Sequence, residues 1–497
     1  MNQSSAQNSR VAVVGGGLAG LAAGCALASS GFRVTLFERR PYLGGRASSY
    51  QHPGTGEVVD NCQHVLLGCC TNLIKFYEQL GVENKIRWYD RLTFLEPGGR
   101  RSVIGPSGLP APFHNAPAFL RAACLSLSDK LSIAAAMTFL APAKTRDTGE
   151  SFLQWLQRHG QTRQAIERFW KPILVSALNE ELDRMSVPYA AQVVRESFLK
   201  SAAAGRMGVP SVPLTDLYGV AGDYISARGG GIRFRCSVES FSPESDKVKL
   251  LASDDEMNFD FVVFAVPFDV LSRILPQTPE AEPSRQALAR FETSPITGIH
   301  LWFDRQITDL DHAVLLDRTI QWMFHKSKLL TPALRDRSSY ETKREGHDFS
   351  RAANARAQGR ALAPEADGSY VELVVSSSKT LVEKSRAEIV EMALAELREF
   401  CPGARDANLV KSTVIKEVHA TYSPQPGVDA YRPHAETVWP RVFLAGDWTA
   451  TGWPATMEGA VRSGYMAAES LARSAGIRDA SFLAPNLSAT GFMRLFG

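Results

Sequence analysis

The chain has 497 residues, of which 44% are hydrophobic and 22% charged, a balance that is ordinary for a soluble globular protein. This length exceeds what one hydrophobic core serves, so two or three domains are expected. The formal net charge of +3 argues against nucleic acid as a partner. The seven cysteines are scattered without metal-ligand spacing, so neither a metal site nor a disulfide framework is expected.

The first informative stretch, residues 11–24, reads VAVVGGGLAGLAAG. An apolar run stops at glycines that match G-x-G-x-x-G as Gly15, Gly17 and Gly20, which predicts a strand, a tight turn and a helix. The N-terminus of that helix would present free N–H groups and a positive dipole end to a pyrophosphate. Residues 11–32 carry no charge and are long enough for a membrane span of about 20 residues. The interrupting glycines favour the nucleotide site instead.

A second predicted strand ends at Glu38, 18 residues after Gly20, close to the ~20 expected of a carboxylate that binds ribose hydroxyls. This order of strand, turn, helix, strand and acid predicts nucleotide binding, and both FAD and NAD fit it. Arg39 and Arg40 suggest the 2′-phosphate of NADP, but Glu38 would repel that phosphate.

A second glycine turn, Gly44-Gly45, precedes Arg46, which can neutralise a pyrophosphate or steady an electron-rich ring.

Next, residues 58–66 place a polar cluster after a short strand, and His64 within it is either a proton donor or a buried structural histidine. A helix is predicted over 72–83. Residues 106–205 predict a helical, lipophilic region that is either a packed core or the cover of an apolar substrate channel.

The second half of the chain is rich in predicted strands. Residues 232–241 and 259–267 read as strands that return to the nucleotide-binding domain, the latter as a buried parallel strand. Four alternating segments predict an antiparallel sheet: 297–304, 318–326, 369–376 and 411–422. Residues 336–367 are rich in charge and poor in large apolar side chains, so a mobile insertion is expected. A capping box, Ser385 with Glu388, predicts the start of a helix.

The last informative stretch, residues 441–471, predicts a second strand-to-helix junction. Its buried strand ends at Gly446-Asp447, and a helix starts near Met457-Glu458. The helix N-terminus could hold negative charge on a reduced flavin ring, and Asp447 could accept hydrogen bonds from the cofactor. The alternative is one more α/β crossover without a ligand.

Together these motifs resemble the FAD-dependent amine-oxidase and phytoene-desaturase superfamily. The motifs are GGGLAGLAAG, Glu38, GGR at 44–46 and LAGDWTATGWPATMEGAVRSG. Within it, residues 60–73 (DNCQHVLLGCCTNL), 320–326 (IQWMFHK) and the C-terminal motif resemble the squalene-associated desaturase-like branch, the hydroxysqualene dehydroxylases. The resemblance covers nearly the whole chain.

The resemblance implies FAD as cofactor and reductive removal of the hydroxyl group of hydroxysqualene, giving squalene for hopanoid synthesis. A proton donor is then needed, and His64 with Asp60 as its partner is the candidate catalytic pair; His325 and Tyr422 are further candidates. Two alternatives stay open. One is an oxidative carotenoid-type desaturase acting on phytoene or a squalene-like polyene, and the other is a non-catalytic flavoprotein scaffold in a lipid-synthesis complex.

The predicted fold is α/β, with a discontinuous Rossmann-like FAD-binding domain and an α+β substrate domain made of an antiparallel sheet and helices. The expected ranges are 8–85, 225–290 and 436–475 for the first domain, and 86–224 and 291–435 for the second. The candidate cofactor-binding residues are Gly15, Gly17, Leu18, Ala19, Gly20, Glu38, Arg39, Gly45, Arg46, Val238, Gly446, Asp447, Met457 and Glu458.

A lipid-soluble substrate implies a cytoplasmic protein that contacts the inner face of the cell membrane. Its contact would lie near the helical region or the tail GFMRLFG, 491–497. A reductive reaction also implies an electron donor to FAD, which the sequence does not identify.

Overall fold

A five-stranded sheet, here called the parallel sheet, lies at the centre of the computed structural model, which describes residues 8–142, 145–330 and 368–496. Every neighbouring pair of its strands is parallel. Across the sheet the strands are Gly231–Phe234, Arg33–Glu38, Arg10–Val14, Phe261–Phe264 and Val442–Leu444. Three distant stretches of the chain therefore build one sheet, as the predicted fold class requires. The exact domain boundaries stay a prediction, and the expected insertion 336–367 lies outside the described residues.

Two helices from opposite ends of the chain pack together beside this sheet: Leu18–Ser29 and Met457–Ser474. Gly464 makes the contact close, because a Cβ atom there would lie 2.2 Å from the carbonyl oxygen of Ala19. The strands Arg10–Val14, Phe261–Phe264 and Val442–Leu444 are buried except at Arg10, which explains their apolar runs. The two predicted strand-to-helix junctions are thereby fixed side by side.

A seven-stranded sheet, here called the mixed sheet, forms the second layer. Its order is Leu409–Tyr422, Thr293–Phe303, Ser369–Ser376, Trp322–Phe324, His312–Leu315, Leu92–Leu95 and Arg101–Ile104. The helix Arg386–Phe400 covers part of one face, and its predicted capping box of Ser385 and Glu388 is confirmed. Two expectations were wrong in detail. The sheet is antiparallel except between His312–Leu315 and Leu92–Leu95, and the segment predicted as one strand over 318–326 is a strand of only three residues.

Residues 116–199 are largely helical, as expected. Their elements are the α-helices Ala116–Arg121, Leu127–Leu140, Phe152–Arg158, Arg163–Ala165, Lys171–Leu178 and Val187–Val193, and the π-helical turns Ile166–Trp170 and Val194–Leu199. Capping boxes at Ser126 and Ser151 start two of these helices. Within the described ranges, no helix has both the length and the apolarity to cross a membrane.

Smaller elements complete the fold. The predicted strand 232–241 is wrong as one element, because the chain leaves the parallel sheet after Phe234 and starts an antiparallel three-stranded sheet at Val238. That sheet contains Val238–Pro243, Val248–Ala252 and Asp255–Phe259. Two more small sheets pair Ser49–Gln51 with Val58–Asp60, and Met207–Pro210 with both Leu66–Leu67 and Ile86–Tyr89.

The remaining helices connect these layers. They are Thr71–Leu80, Leu214–Tyr218, Val220–Ser226, Phe268–Ile274, Glu282–Leu288, Lys326–Leu329 and Gly403–Asp406. The first of them is the helix predicted over 72–83, and it ends at Gly81 in the left-handed conformation.

Candidate functional site

The first glycine turn has the geometry of a dinucleotide cradle. Gly15 has a positive φ of 111°, and a Cβ on it would lie 2.5 Å from the carbonyl oxygen of Ala265. A Cβ on Gly20 would lie 1.9 Å from the carbonyl oxygen of Gly15, so only glycine lets the helix start this close to the strand. Beside Gly17, by contrast, the nearest atom to such a Cβ is 3.9 Å away, which leaves room for a ligand.

The helix Leu18–Ser29 begins at this turn without a side-chain cap. Its first N–H groups are therefore available to an anion, which is the feature that pyrophosphate recognition uses. Gly45 approaches so closely that a Cβ on it would lie 2.9 Å from the Cα of Gly17, and Gly44 N–H donates to the carbonyl of Gly16 at 2.9 Å. The two predicted glycine turns thus form one surface.

Glu38 is buried beside the first turn, where the ribose-binding carboxylate was predicted. Its carboxylate accepts one hydrogen bond from the N–H of Gly16 and another from the N–H of Arg40, both at 2.8 Å. Arg39 is exposed at the rim of the cavity described below, whereas the guanidinium of Arg40 donates to the carbonyl of Gly45 at 2.8 Å. Arg40 is therefore engaged in holding the second turn.

The second junction faces the first. Gly446 has φ 147°, its N–H donates to Ser463 Oγ at 2.8 Å, and a Cβ on it would lie 2.4 Å from Trp448 Nε1. The buried carboxylate of Asp447 accepts from Arg46 Nη2 at 2.6 Å, while Arg46 Nη1 donates to the carbonyl of Ala420 at 2.6 Å. The structure thus joins the second glycine turn to the second junction.

Glu458 and Met457 follow at the start of the last helix, and their side chains have structural partners. The buried Glu458 carboxylate accepts from the backbone N–H groups of Asn72 and Leu73 at 3.2 and 2.8 Å, so it caps the helix Thr71–Leu80. Burial raises the pKa of Glu458. Met457 Sδ accepts from the hydroxyl of Tyr218 at 3.4 Å. Both residues border the cavity, so their predicted part in binding the cofactor stays a prediction, while the Glu458 carboxylate itself is engaged by the helix Thr71–Leu80.

A cavity of about 510 Å³ runs from these junctions into the space between the helical region and the mixed sheet. The cofactor end is lined by the glycine turns, Glu38, Arg46, Val238 and Asp447. Apolar side chains dominate the other end, among them Leu92, Phe94, Ile173, Ala177, Val193, Phe198, Ile296, Val314, Trp322, Phe324 and Val374. One space therefore connects a dinucleotide cradle to an apolar channel.

His64 borders this cavity in a defined tautomer. Its Nδ1 lies 2.7 Å from the carbonyl oxygen of Cys62, and since a carbonyl only accepts, Nδ1 carries the hydrogen. Burial lowers the pKa of His64, so the neutral form dominates near pH 7. The lone pair then sits on Nε2, which makes His64 a hydrogen-bond acceptor and a poor proton donor.

Asp60 is not the partner of His64, contrary to the prediction. Its Oδ2 accepts from Lys326 Nζ at 2.6 Å and its Oδ1 from Ser49 Oγ at 2.6 Å. Lys326 is buried, lies 2.8 Å from Gln63 Oε1, and has Glu372 Oε2 at 3.6 Å as a second counter-charge. Although burial opposes it, Lys326 holds the pKa of Asp60 below its ordinary value.

Glu372 completes this buried cluster of charges. Burial raises its pKa to about 7, and Lys326 offsets this only in part. Neither carboxyl oxygen of Glu372 has a hydrogen-bond partner among the described residues. Sequence patterns did not reveal Lys326 or Glu372, because Lys326 starts the polar helix Lys326–Leu329 and Glu372 lies in the strand Ser369–Ser376, and neither belongs to a recognisable motif. His325 and Tyr422, the other two candidate proton donors, are buried. Neither is among the described residues that line the cavity.

No metal centre accompanies this site in the part of the chain that the structure describes: no group of three or more His, Cys, Asp or Glu side chains there could hold an ion. The seven cysteines are free thiols.

A family model for flavin-containing amine oxidoreductases matches residues 18–472. The chain belongs to this family. Its members bind flavin, and the two glycine junctions, the uncapped helix and the space beside Gly17 suit FAD. The protein is a FAD-dependent oxidoreductase with FAD as its cofactor, so the scaffold hypothesis is not carried further.

Several curated relatives are carotenoid desaturases. The chain is 28% identical over 490 residues to 15-cis-phytoene desaturase of Synechococcus elongatus, covering 93% of this chain and 95% of the relative. It is 27% identical over 493 residues to zeta-carotene desaturase of Synechocystis sp., covering 93% and 97%.

Solved structures agree on the fold. An oxidoreductase from Methanosarcina mazei superposes with a TM-score of 0.65 at 18% identity, covering 92% of this chain and 98% of that one. Cyclohexylamine oxidase from Brevibacterium oxydans gives a TM-score of 0.64 at 16% identity, covering 94% and 99%.

Proposed function

We propose that this flavoenzyme acts on a long acyclic isoprenoid, and that carotenoid-type desaturation is the reaction with the stronger support. The observation that carries the proposal is the apolar channel that opens directly onto the FAD cradle. A chain of isoprene units offers only apolar surface, and burying such surface contributes about 25 cal/mol per Å². The relatives named as phytoene and zeta-carotene desaturases, aligned over more than nine-tenths of the chain, support the same substrate class.

Desaturation requires the protein's own residues only to position the substrate and to exclude water. Bound FAD supplies the two-electron chemistry, and the protein positions a saturated carbon pair beside it and excludes water. No charged side chain is required at the apolar end, where Ile173, Phe198, Phe324 and Val374 border the cavity.

The test is incubation of the purified holoprotein with phytoene in lipid vesicles and a soluble quinone as electron acceptor. We expect a longer conjugated polyene, visible as new absorbance and as a loss of two hydrogens per step by mass. Absence of any such product from phytoene, zeta-carotene and squalene would contradict desaturation.

A second candidate is reductive dehydroxylation of hydroxysqualene to squalene, and His64 is the observation that favours it. A pure hydrocarbon makes no use of a hydrogen-bond acceptor at the channel wall, whereas an allylic alcohol could donate its hydroxyl to the free Nε2 of neutral His64. In this proposal His64 orients the alcohol, and the proton that accompanies loss of water comes from another group. The reaction also needs an external electron donor, whose identity is open.

One experiment separates the two reactions. The holoprotein is reduced anaerobically with dithionite and given hydroxysqualene, and the products are identified by mass. Squalene formation supports dehydroxylation, whereas reoxidised protein that desaturates phytoene and leaves hydroxysqualene unchanged supports the desaturase.

We also propose that the protein works at a membrane surface, on its cytoplasmic face. Large apolar side chains are exposed on the helical region and on the tail segment Gly491–Leu495: Leu109, Phe113, Leu120, Leu127, Leu131, Phe139, Phe492 and Leu495. The tail packs on the loop before the helix Ala116–Arg121, since Phe492 N–H donates to the carbonyl of Ala111 at 2.9 Å and the rings of Phe113 and Phe492 are 6.1 Å apart. Exposed apolar side chains of this size suit an interface that delivers a lipid-soluble substrate.

Co-sedimentation with anionic liposomes tests this surface. We expect the wild-type protein to pellet with vesicles and the variant Leu127→Glu/Leu131→Glu to stay in the supernatant, while Val410→Glu, an exposed apolar residue elsewhere, behaves like wild type. Equal binding by all three would contradict the proposed surface.

A further inference from the structure

Arg432 is a buried arginine whose guanidinium reaches the loop after the second junction. Its side chain is only 1% exposed. Nη2 lies 3.1 Å from the carbonyl oxygen of Asp447, 3.1 Å from Thr451 Oγ1 and 2.8 Å from the carbonyl oxygen of Trp453, and it also contacts the carbonyl oxygen of Thr449. The two hydrogens of Nη2 are therefore shared among four oxygens of residues 447–453, here called the cofactor loop.

The cofactor loop has little regular structure of its own to hold this shape. It follows the strand Val442–Leu444 and precedes the helix Met457–Ser474, with no strand or helix between them. Its carbonyl groups are buried and need donors, since a buried acceptor without a partner costs about 1–3 kcal/mol. A planar guanidinium with several N–H groups can serve several carbonyls at once, which a lysine ammonium on a flexible stem does less well.

The other side of Arg432 contacts the helical region. Nη1 donates to the hydroxyl of Tyr189 at 2.6 Å and to Asp429 Oδ1 at 3.1 Å. Tyr189 belongs to the helix Val187–Val193, whose Gln192 and Val193 border the apolar channel. Gln192 Nε2 donates to the carbonyl of Gly452 at 2.8 Å, so the same helix touches the cofactor loop a second time.

We infer that Arg432 is a positioning residue for FAD: it fixes the cofactor loop in its binding shape and ties that loop to the helix Val187–Val193. Asp447 is the link to the cofactor, because its carbonyl is held by Arg432 while its carboxylate is held by Arg46. Loss of the guanidinium frees the loop at four points, so FAD affinity falls even though Arg432 itself does not border the cavity as described.

The experiment measures FAD binding directly, on deflavinated protein titrated with FAD and followed by quenching of flavin fluorescence. Arg432→Met is compared with Arg168→Met as a matched control. Arg168 is also a mostly buried arginine with multiple partners, namely Glu96, Asp317 and the carbonyl of Cys124, but it lies away from both junctions. We expect the dissociation constant for FAD to rise at least 10-fold in Arg432→Met and less than twofold in Arg168→Met, with both proteins folded by circular dichroism.

Smaller changes keep the inference testable should Arg432→Met not fold. Arg432→Lys retains the charge without the fork, and Tyr189→Phe removes one acceptor while leaving the loop contacts in place. Both are expected to weaken FAD binding at least threefold and to alter the visible spectrum of the bound flavin. Wild-type affinity in Arg432→Met, or in both milder variants, overturns the inference, and so does an equal loss in Arg168→Met.

Discussion

Arg46 and Asp447 lie 401 positions apart in the chain, yet their side chains form an ion pair of 2.6 Å across the cradle. Arg46 follows Gly45 of the second glycine turn, which packs against Gly17 of the first junction, and Asp447 follows Gly446 of the second junction. The pair therefore reports directly that both ends of the chain build a single FAD site. Asp447 is almost fully buried, so it depends on Arg46 for charge compensation.

Breaking this pair on one side is expected to damage FAD binding. Arg46→Met leaves the buried Asp447 without its cation, and we expect FAD affinity to fall by at least about 10-fold. Asp447→Asn should also weaken binding. The double variant should lose less than the sum of the two single losses in free energy, because each single change already removes the shared interaction. FAD titrations of all four proteins check this, and strict additivity would show that the two residues act independently.

The contact between the first and last helices depends on the small size of Gly464. Its substitution by alanine would place a Cβ 2.2 Å from the backbone oxygen of Ala19 and force the helices apart, so we expect a loss of about 2 kcal/mol in the free energy of unfolding. Gly108→Ala is the control, because nothing lies within 4 Å of a Cβ there. Urea unfolding curves give both values, and equal stability of the two variants would show that the helices can yield.

Because of Glu372, the free energy of unfolding is expected to depend on pH. Its pKa is raised from 4.5 to about 7 by folding, so the folded state binds a proton that the unfolded state releases between these values. Stability therefore falls as the pH rises from 4.5 to 7, by up to about 3 kcal/mol, and levels off above. The charged groups that act on Glu372 are Lys326, 3.6 Å away, and Asp60, and the neutral side chains of Cys62 and Tyr370 also interact with it.

Glu372→Gln is expected to flatten this pH profile, since glutamine resembles the protonated acid. Glu391→Gln, at an exposed position of the helix Arg386–Phe400, should keep the wild-type slope. Thermal unfolding between pH 4.5 and 8 provides the comparison, and an unchanged slope in Glu372→Gln would assign the effect to another group.

His64 discriminates between the two proposed substrates. With an alcohol as substrate, His64→Phe removes the acceptor and should lower kcat/KM by about 100-fold or more, because a site built to bind a hydroxyl loses that partner. His64→Gln keeps an acceptor and should retain more activity. With a hydrocarbon substrate, both variants should lie close to wild type.

The protonation of His64 is also expected to set the acidic side of the pH profile of activity. Because burial lowers the pKa of His64 from 6.5, activity on the alcohol should be constant around neutral pH and decline only in more acidic buffer, as Nε2 becomes protonated. A decline on raising the pH through neutrality would instead indicate that protonated His64 acts as the acid.

The sequence by itself determined the local features of this protein. Gly15 and Gly20 specify a turn in which a Cβ atom would clash with the backbone, and Gly17 leaves space beside it. Ser385 and Glu388 specify a helix start, and the apolar run at Phe261–Phe264 specifies a buried parallel strand. Each signal lies within a few residues of the structure it predicts, so it can be read without knowing the rest of the fold.

Only the tertiary structure decided which distant groups meet. Asp60 pairs with Lys326 and not with His64, Glu458 caps another helix, and Arg432 holds the cofactor loop. These partners are separated by up to 386 positions, and sheet order and helix contacts bring them together. A buried charge is stable only beside a counter-charge or a hydrogen-bond donor. The residues next to it in the sequence do not reveal this partner, because the packing of sheets and helices determines which distant residue lies beside it.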